Sequence, residues 1–281
     1  MNLSDANTLK KLLSQHGFSF KKSLGQNFLI DSTVCPAMAE ASADKNTGVL
    51  EIGPGVGVLT SELSKVAKRV VAIELDERLK KLLPITLSDC DNVEIIYGDA
   101  MKLDLKSIIA EKFADCEKVT VCANLPYYIT SPIVMMLLES RLPIESITVM
   151  VQKEAAERLC AKVGSRESGA VTVAVNYYAT AEILFHVGRE AFMPSPNVDS
   201  AVIKLNILKE PPINVKDEAK FFRLVKATFA QRRKTFLNTV SNTLKIDKET
   251  LKSALNDLNL EPTVRGEQLT MEQLAYISDI I

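Results

Sequence analysis

Histidine is nearly absent from this 281-residue sequence, which has only His16 and His186. The five cysteines (Cys35, Cys90, Cys116, Cys122 and Cys160) are scattered and form no CxxC pair. Zinc needs such ligands clustered at short spacing, so no metal site is expected. The odd cysteine count, without a secretory leader pattern, points to reduced and mostly buried thiols. Long apolar runs are missing too, and none approaches the roughly 20 residues of a membrane-spanning helix. The segment Met1 to Ser14 is polar and of mixed charge, unlike a signal or transit peptide, so a cytoplasmic protein is expected. Net charge is also lacking: 34 Lys and Arg face 35 Asp and Glu. That balance neither announces nor excludes a nucleic-acid partner, because phosphate contacts depend on where charge clusters.

What the chain does have is alternation. From Thr47 to Leu208, short β-rich runs alternate with helix-period segments, the pattern of a parallel α/β sheet. Strands are expected at Val49–Ile52, Arg69–Glu74, Val93–Tyr97, Lys118–Ala123 and Ile147–Val151. Helices are expected at Leu59–Ala67, Asp76–Leu83, Ile133–Ser140 (after a Ser131-Pro132 start signal) and Lys153–Cys160. Two further runs, Ala181–Val187 and Ser200–Ile207, are joined by a Pro-rich link and read as an antiparallel hairpin closing one sheet edge. The result is a doubly wound, Rossmann-like α/β fold with a hairpin, not two symmetric βαβαβ halves. Glu210-Pro211-Pro212 is the linker candidate. Only helix signals follow it, at Asp217–Phe229, Arg232–Ser241, Lys248–Leu255 and Thr270–Ile280. The division expected is a catalytic domain over 1–208, whose residues 1–46 wrap onto the front of the sheet, and a small helical domain over 209–281.

The first strand runs into Glu51-Ile52-Gly53-Pro54-Gly55-Val56-Gly57. Glycines let the backbone turn sharply and approach a ligand closely, while the next helix offers free N–H groups. Such a turn is shared by folds that bind NAD, FAD and S-adenosylmethionine. Glu74 ends the second strand, about 20 residues on, where a carboxylate accepts from ribose hydroxyls. Asp99 ends the third, where it can accept from an adenine amino group. Leu75 and Ala100, which follow these acids, complete the candidate cofactor set with Gly53 and Gly55. Strand-end acids also commonly cap helices, so each taken alone is ambiguous. The turn is not GxGxxG, and Pro54 removes an N–H that a pyrophosphate would use. S-adenosylmethionine is favoured over a dinucleotide.

The fourth strand ends in Asn124-Leu125-Pro126-Tyr127-Tyr128, at the carboxyl edge where α/β sheets bind ligands. An exocyclic amine on a nucleic-acid base is a poor nucleophile, because its lone pair is delocalised into the ring. The Asn124 amide oxygen and Leu125 carbonyl can accept its two N–H bonds and aim the lone pair at a sulfonium methyl. Pro126 fixes the turn, and Tyr127 offers a stacking face worth roughly 1–3 kcal/mol per base. Phe192, in the Pro-rich link, is the candidate for the opposite face of a base turned out of its stack. An ordinary Asn-Pro turn and a buried core Phe are the plainer readings.

Together these residues resemble the KsgA/RsmA family of ribosomal RNA adenine N6,N6-dimethyltransferases. The motifs that carry the resemblance are Lys22-Ser23-Leu24-Gly25-Gln26-Asn27-Phe28-Leu29, Glu51 to Thr60, Ile73-Glu74-Leu75-Asp76, Asn124 to Tyr127, and Phe192 to Ala201. The resemblance implies that Asn27, Leu29, Gly53, Glu74, Asp99 and Asn124 line an S-adenosylmethionine site, with Gln26 and Asn27 near its methionine end. It further implies that Asn124, Tyr127 and Phe192 meet the target adenine. The implied substrate is two adjacent adenines near the 3′ end of small-subunit (16S) rRNA, each methylated twice within a ribosomal particle. The erythromycin-resistance methyltransferases of large-subunit RNA share the chemistry and are the alternative, as is an assembly checkpoint factor whose methylation is secondary. In this light the basic residues Lys21, Lys22, Arg223, Arg232, Arg233 and Lys234 are candidates for phosphate contacts. A monomer is expected, since no spare apolar helix face stands out.

Overall fold

The structure, a computed structural model, describes residues 5–15 and 28–281. Gln26, Asn27, Lys21 and Lys22 therefore lie outside the described residues.

The described chain divides into two compact units, one of residues 1–156 and 182–207, the other of 157–181 and 208–281. The first is built on a seven-stranded sheet. Its strands are β2 (Thr47–Ile52), β3 (Arg69–Glu74), β4 (Val93–Tyr97), β5 (Lys118–Asn124), β6 (Ser146–Gln152), β7 (Ala179–Val187) and β9 (Ser200–Ile207). They lie in the order β4-β3-β2-β5-β6-β9-β7. β4, β3, β2, β5 and β6 run parallel to one another, and β9 runs antiparallel to β6. The central strands are mostly apolar because both faces are covered: every residue of β2 is buried, as is all of β3 after Arg69. The chain moves outward from β2 to β3 and β4, then returns to β5 on the other side of β2. That reversal opens a crevice at the carboxyl ends of β2 and β5, where ligands bind in such sheets.

Helix α1 (Ala6–Gln15) places Leu12 in a cluster with Val56, Leu79, Leu82, Leu83 and Leu87. The two-residue strand β1 (Phe28–Leu29) pairs antiparallel with β8 (Phe192–Met193), with Leu29 opposite Phe192. Helix α2 (Val34–Ser42) buries Cys35, Met38 and Ala39 in a core shared with Leu59 and Leu63 of α3 (Val58–Val66).

Several elements depart from the sequence reading. The helix expected over Asp76–Leu83 is a 3-10 turn, Glu77–Lys81, followed by the four-residue α4 (Leu83–Thr86). Pro84 has no N–H to continue the ladder, so the segment breaks in two. The helix expected from Ile133 is α6 (Tyr127–Glu139), with Pro132 inside it. Pro126, at φ −55 and ψ 134, already supplies the turn that starts it, and the Thr130 hydroxyl donates to the Pro126 carbonyl at 3.1 Å. Two helices have no counterpart in the sequence reading. One is α5 (Leu105–Lys112), capped by Asp104, which accepts from the Ser107 N–H at 3.1 Å. The other is α8 (Ala170–Tyr178), which follows α7 (Lys153–Leu159).

In the second unit α8 packs on α9 (Glu218–Thr228), where the Tyr177 and Tyr178 hydroxyls donate to the two Glu218 carboxylate oxygens at 3.1 and 2.8 Å. Phe221, on the same helix, is fully buried beside the Tyr177 ring. α10 (Phe236–Leu244), α11 (Lys248–Asp257) and α12 (Met271–Ile280) complete the unit. The helix expected from Arg232 begins only at Phe236, because the Thr235 hydroxyl caps it by accepting from the Asn238 N–H at 3.4 Å. Arg232, Arg233 and Lys234 thus occupy the turn ahead of the helix. Among the described residues no helix is long and apolar enough to cross a membrane.

Candidate active site

β2 ends at Ile52, and the chain turns through three glycines in the left-handed region: Gly53 (φ +72), Gly55 (φ +57) and Gly57 (φ +91). A side chain is disfavoured at each. The Gly53 N–H donates to the Ile73 carbonyl at 2.9 Å, which extends the β2–β3 ladder beyond the strand end. The Gly57 N–H donates to the Pro54 carbonyl at 2.9 Å and closes the turn that opens α3.

The same turn fixes Glu74. One of its carboxylate oxygens accepts from the Gly55 N–H at 3.1 Å, the other from the Asp76 N–H at 2.6 Å. A carboxylate has about four acceptor positions, so two backbone donors orient Glu74 without exhausting it. It is buried, and burial raises its pKa while those two N–H groups pull the other way. Beside it, the Gly98 N–H donates to the Glu74 carbonyl at 2.9 Å and ties the end of β4 to that of β3. Asp99 follows, with one oxygen accepting from the Met101 N–H at 3.0 Å.

Across the crevice, Asn124 closes β5 opposite Met150 of β6. Leu125 is buried, and Pro126 leads into α6. The Tyr127 hydroxyl lies 2.7 Å from Ser200 Oγ, and burial raises the pKa of this phenol. Phe192 is 4% exposed and held by its pairing with Leu29.

These elements surround one cavity of about 490 Å³, within the size range of small-ligand sites. Its lining includes Leu29, Gly53, Gly55, Glu74, Leu75, Asp99, Ala100, Asn124, Leu125, Pro126, Tyr127 and Phe192. Every described residue singled out for cofactor or base thus meets at one place. The four described basic candidates lie in the second unit: Arg223 is exposed on α9, and Arg232, Arg233 and Lys234 are exposed in their turn. The Arg232 guanidinium donates to the Arg166 carbonyl at 3.1 Å. Among the described residues there is no group of three His, Cys, Asp or Glu arranged for a metal.

Sequence reasoning gave no role to several other lining residues. Tyr128 and Met101 are 59% and 50% exposed and, with Leu75 of the candidate cofactor set at 60%, give the rim of the cavity bare apolar surface of the kind that accepts a flat ring. Glu51 is the opposite case. It sits on β2 and lines the cavity at 1% exposure, and one carboxyl oxygen has no hydrogen-bond partner. The signal for it was an acid inside an otherwise apolar strand.

Glycines that spare the backbone a Cβ, a doubly oriented acid on β3, an acid just past β4 and an orphaned buried carboxyl suit a ligand with ribose hydroxyls, an adenine and a cationic end. S-adenosylmethionine has all three.

The comparisons with known proteins agree. Residues 17–281 match the family model of the ribosomal RNA adenine dimethylases. A relative from Geobacillus thermodenitrificans, Ribosomal RNA small subunit methyltransferase A, is 50% identical over 276 residues, covering 97% of this chain and 94% of its own. The protein of that name from Bacillus licheniformis is 49% identical over 274 residues, covering 96% and 94%. Among solved structures, a dimethyladenosine transferase from Plasmodium falciparum superposes with a TM-score of 0.72 at 25% identity, covering 89% of this chain and 95% of its own. The 23S rRNA methyltransferase ErmE superposes with a TM-score of 0.66 at 26% identity, covering 90% and 98%.

Proposed function

The chain belongs to the ribosomal RNA adenine dimethylase family, and on that premise we propose that it dimethylates the N6 amino groups of two adjacent adenines near the 3′ end of small-subunit rRNA. The observation that carries the reading is the meeting of Glu74, Asp99, Asn124, Tyr127 and Phe192 on one cavity at the sheet's switch point. The relatives named for the small subunit are 49% and 50% identical, against 26% for the large-subunit enzyme, which favours the small-subunit address.

S-adenosylmethionine, when bound, supplies a methyl group on a positively charged sulfur, a good leaving group. Glu74 accepts from the ribose hydroxyls, Asp99 from the adenine amino group, and the Gly53–Gly55 backbone allows close approach. Asn124 and the Leu125 carbonyl accept the two N–H bonds of the target amine and turn its lone pair out of conjugation. Tyr127 and Phe192 hold the base between them. No strong base is required, because positioning of the amine is the main contribution. Residues 209–281 supply the RNA-binding surface through Arg223, Arg232, Arg233 and Lys234, and the enzyme works as a cytoplasmic monomer on a ribosomal particle.

Small subunits from cells lacking the enzyme, incubated with methyl-labelled S-adenosylmethionine, test this directly. Label is expected in small-subunit rRNA as N6,N6-dimethyladenine, and Asn124→Ala is expected to abolish transfer while particle binding persists. Label confined to large-subunit RNA or DNA would overturn the substrate assignment.

A further inference from the structure

Two tyrosines follow strand β5 at the mouth of the cavity, and the fold sends their rings to different places. Tyr127 and Tyr128 both line the cavity, and both belong to the first turn of α6. Consecutive residues of a helix point about 100° apart, so the two rings are aimed at different parts of whatever enters. Tyr127 is half-buried, with its hydroxyl 2.7 Å from Ser200 Oγ. Tyr128 is 59% exposed, the one exposed aromatic among the described residues of the lining. Ser131 and Pro132, one turn along the same side of α6, are exposed too, so the helix does not cover this ring. The backbone that carries it is fixed: the Ile129 N–H and the Thr130 hydroxyl both donate to the Pro126 carbonyl at 3.1 Å. Leu75 and Met101, the other large apolar residues exposed on the lining, follow β3 and β4, on the far side of β2 from β5. Tyr128 therefore stands apart from them, on the side of the cavity where Asn124 ends β5.

We propose that Tyr128 is the platform for the nucleotide next to the adenine being methylated. One adenine of the pair enters the cavity and lies against Tyr127, while its neighbour stacks on the Tyr128 ring at the rim. The proposal rests on the substrate reading given above, two adjacent adenines of small-subunit rRNA. Turning a base into a pocket breaks its stacking with its neighbour, and that loss is offset only by new contacts. A single phosphodiester link joins the two nucleotides, so the neighbour stays at the mouth of the cavity once its partner is inside. An exposed aromatic face there recovers the lost stacking, and every base has a π-face to offer it. A purine covers more of the ring than a pyrimidine does, so adenine is a better occupant than uracil. The same contact gives the enzyme a preference for a purine beside its target.

The experiment measures methyl transfer by the full-length protein to small subunits from cells lacking the enzyme. Three substrates are compared: the adenine pair intact, and the pair with either adenine replaced by uracil. On the intact pair Tyr128→Ala should lower kcat/KM about fivefold or more, the lower bound for loss of one base–aromatic stack. Tyr128→Phe keeps the ring and should stay within about twofold of the wild type. For the wild type, one of the two replacements should slow methylation of the adenine that remains, by about threefold or more. That penalty should vanish in Tyr128→Ala, because the contact it reports is already gone, and persist in Tyr128→Phe. Tyr128→Ala acting at the wild-type rate, or a wild type indifferent to both replacements, overturns the proposal. So does a penalty that is undiminished in Tyr128→Ala, which would place the ring on another part of the particle. If the wild type labels neither adenine of the intact pair, the substrate reading itself fails, and the proposal with it.

Discussion

The hydroxyl of Tyr127 and the hydroxyl of Ser200, 73 residues apart in the chain, lie 2.7 Å from each other. The sheet brings them together. Because β9 runs antiparallel to β6, its first residue sits opposite Gln152, the last of β6, at the same carboxyl edge as Asn124. Tyr127 opens α6 at that edge. A strand that enters the sheet in the reverse direction thus pins the ring proposed to stack on the base.

Tyr127→Phe and Ser200→Ala are each expected to lower kcat/KM on small subunits by roughly two- to tenfold, the worth of one hydrogen bond of about 0.5–1.5 kcal/mol. Tyr127→Ala also removes the stacking face and should cost roughly five- to 150-fold, from about 1–3 kcal/mol. Cofactor affinity, measured by titration, should be unchanged in all three.

Gly57 combines φ +91 with a Cβ position only 2.9 Å from Leu87 Cδ2. Gly57→Ala should therefore lower stability by about 1–3 kcal/mol. The loss is read as a lower denaturation midpoint at unchanged slope. Weakened cofactor binding is expected with it, since Gly57 opens the helix at the end of the turn.

The Glu51 carboxyl also sets a pH dependence of the ligand-free fold. Its pKa rises from 4.5 to about 8 on folding, so between these values the folded state holds a proton that the unfolded state has lost. The stabilisation from protonated Glu51 is full below pH 4.5 and is lost as pH rises toward 8. At about 1.4 kcal/mol per pH unit this is on the order of a few kcal/mol. Asp31, Asp44 and Asp104 have lowered pKa values and act the other way, losing their stabilisation only as pH falls through those values. Subtracting the Glu51→Gln curve from the wild-type curve isolates the effect. The variant should gain on the wild type steadily as pH rises from about 5 to about 8.

Neutralising Arg232, Arg233 and Lys234 together to alanine should raise KM for small subunits and leave the cofactor Kd unchanged. Each lost phosphate contact reduces the slope of log affinity against log salt by about 0.7–0.9. The triple variant should show a slope shallower by roughly 2 to 3. An unchanged slope would mean that this turn is plain solvated surface.

The strand series was legible because its signals are local. Arg69–Glu74 and Val93–Tyr97 have the bounds that the apolar runs gave, and the glycine turn, Glu74, Asp99 and Asn124 lie at strand ends where periodicity stops. The failures cluster at prolines and caps. Pro132 reads as a helix start but lies inside α6, because Pro126 already fixes the entry. Thr235 delays α10 beyond the basic triplet through one hydroxyl bond. Such competitions between neighbouring start signals are decided by packing, which propensity does not contain.

The parallel sheet, the kind of cofactor and the residues proposed to meet the base were legible from local sequence, because each is written in side chains and glycines a few positions apart. Which distant pieces complete the site was left to the fold. It set Leu29 against Phe192, Ser200 against Tyr127, and Glu51 at the cavity floor with an oxygen unanswered. Strand order and register govern those contacts, and both arise from burial of whole faces rather than from any local run of residues.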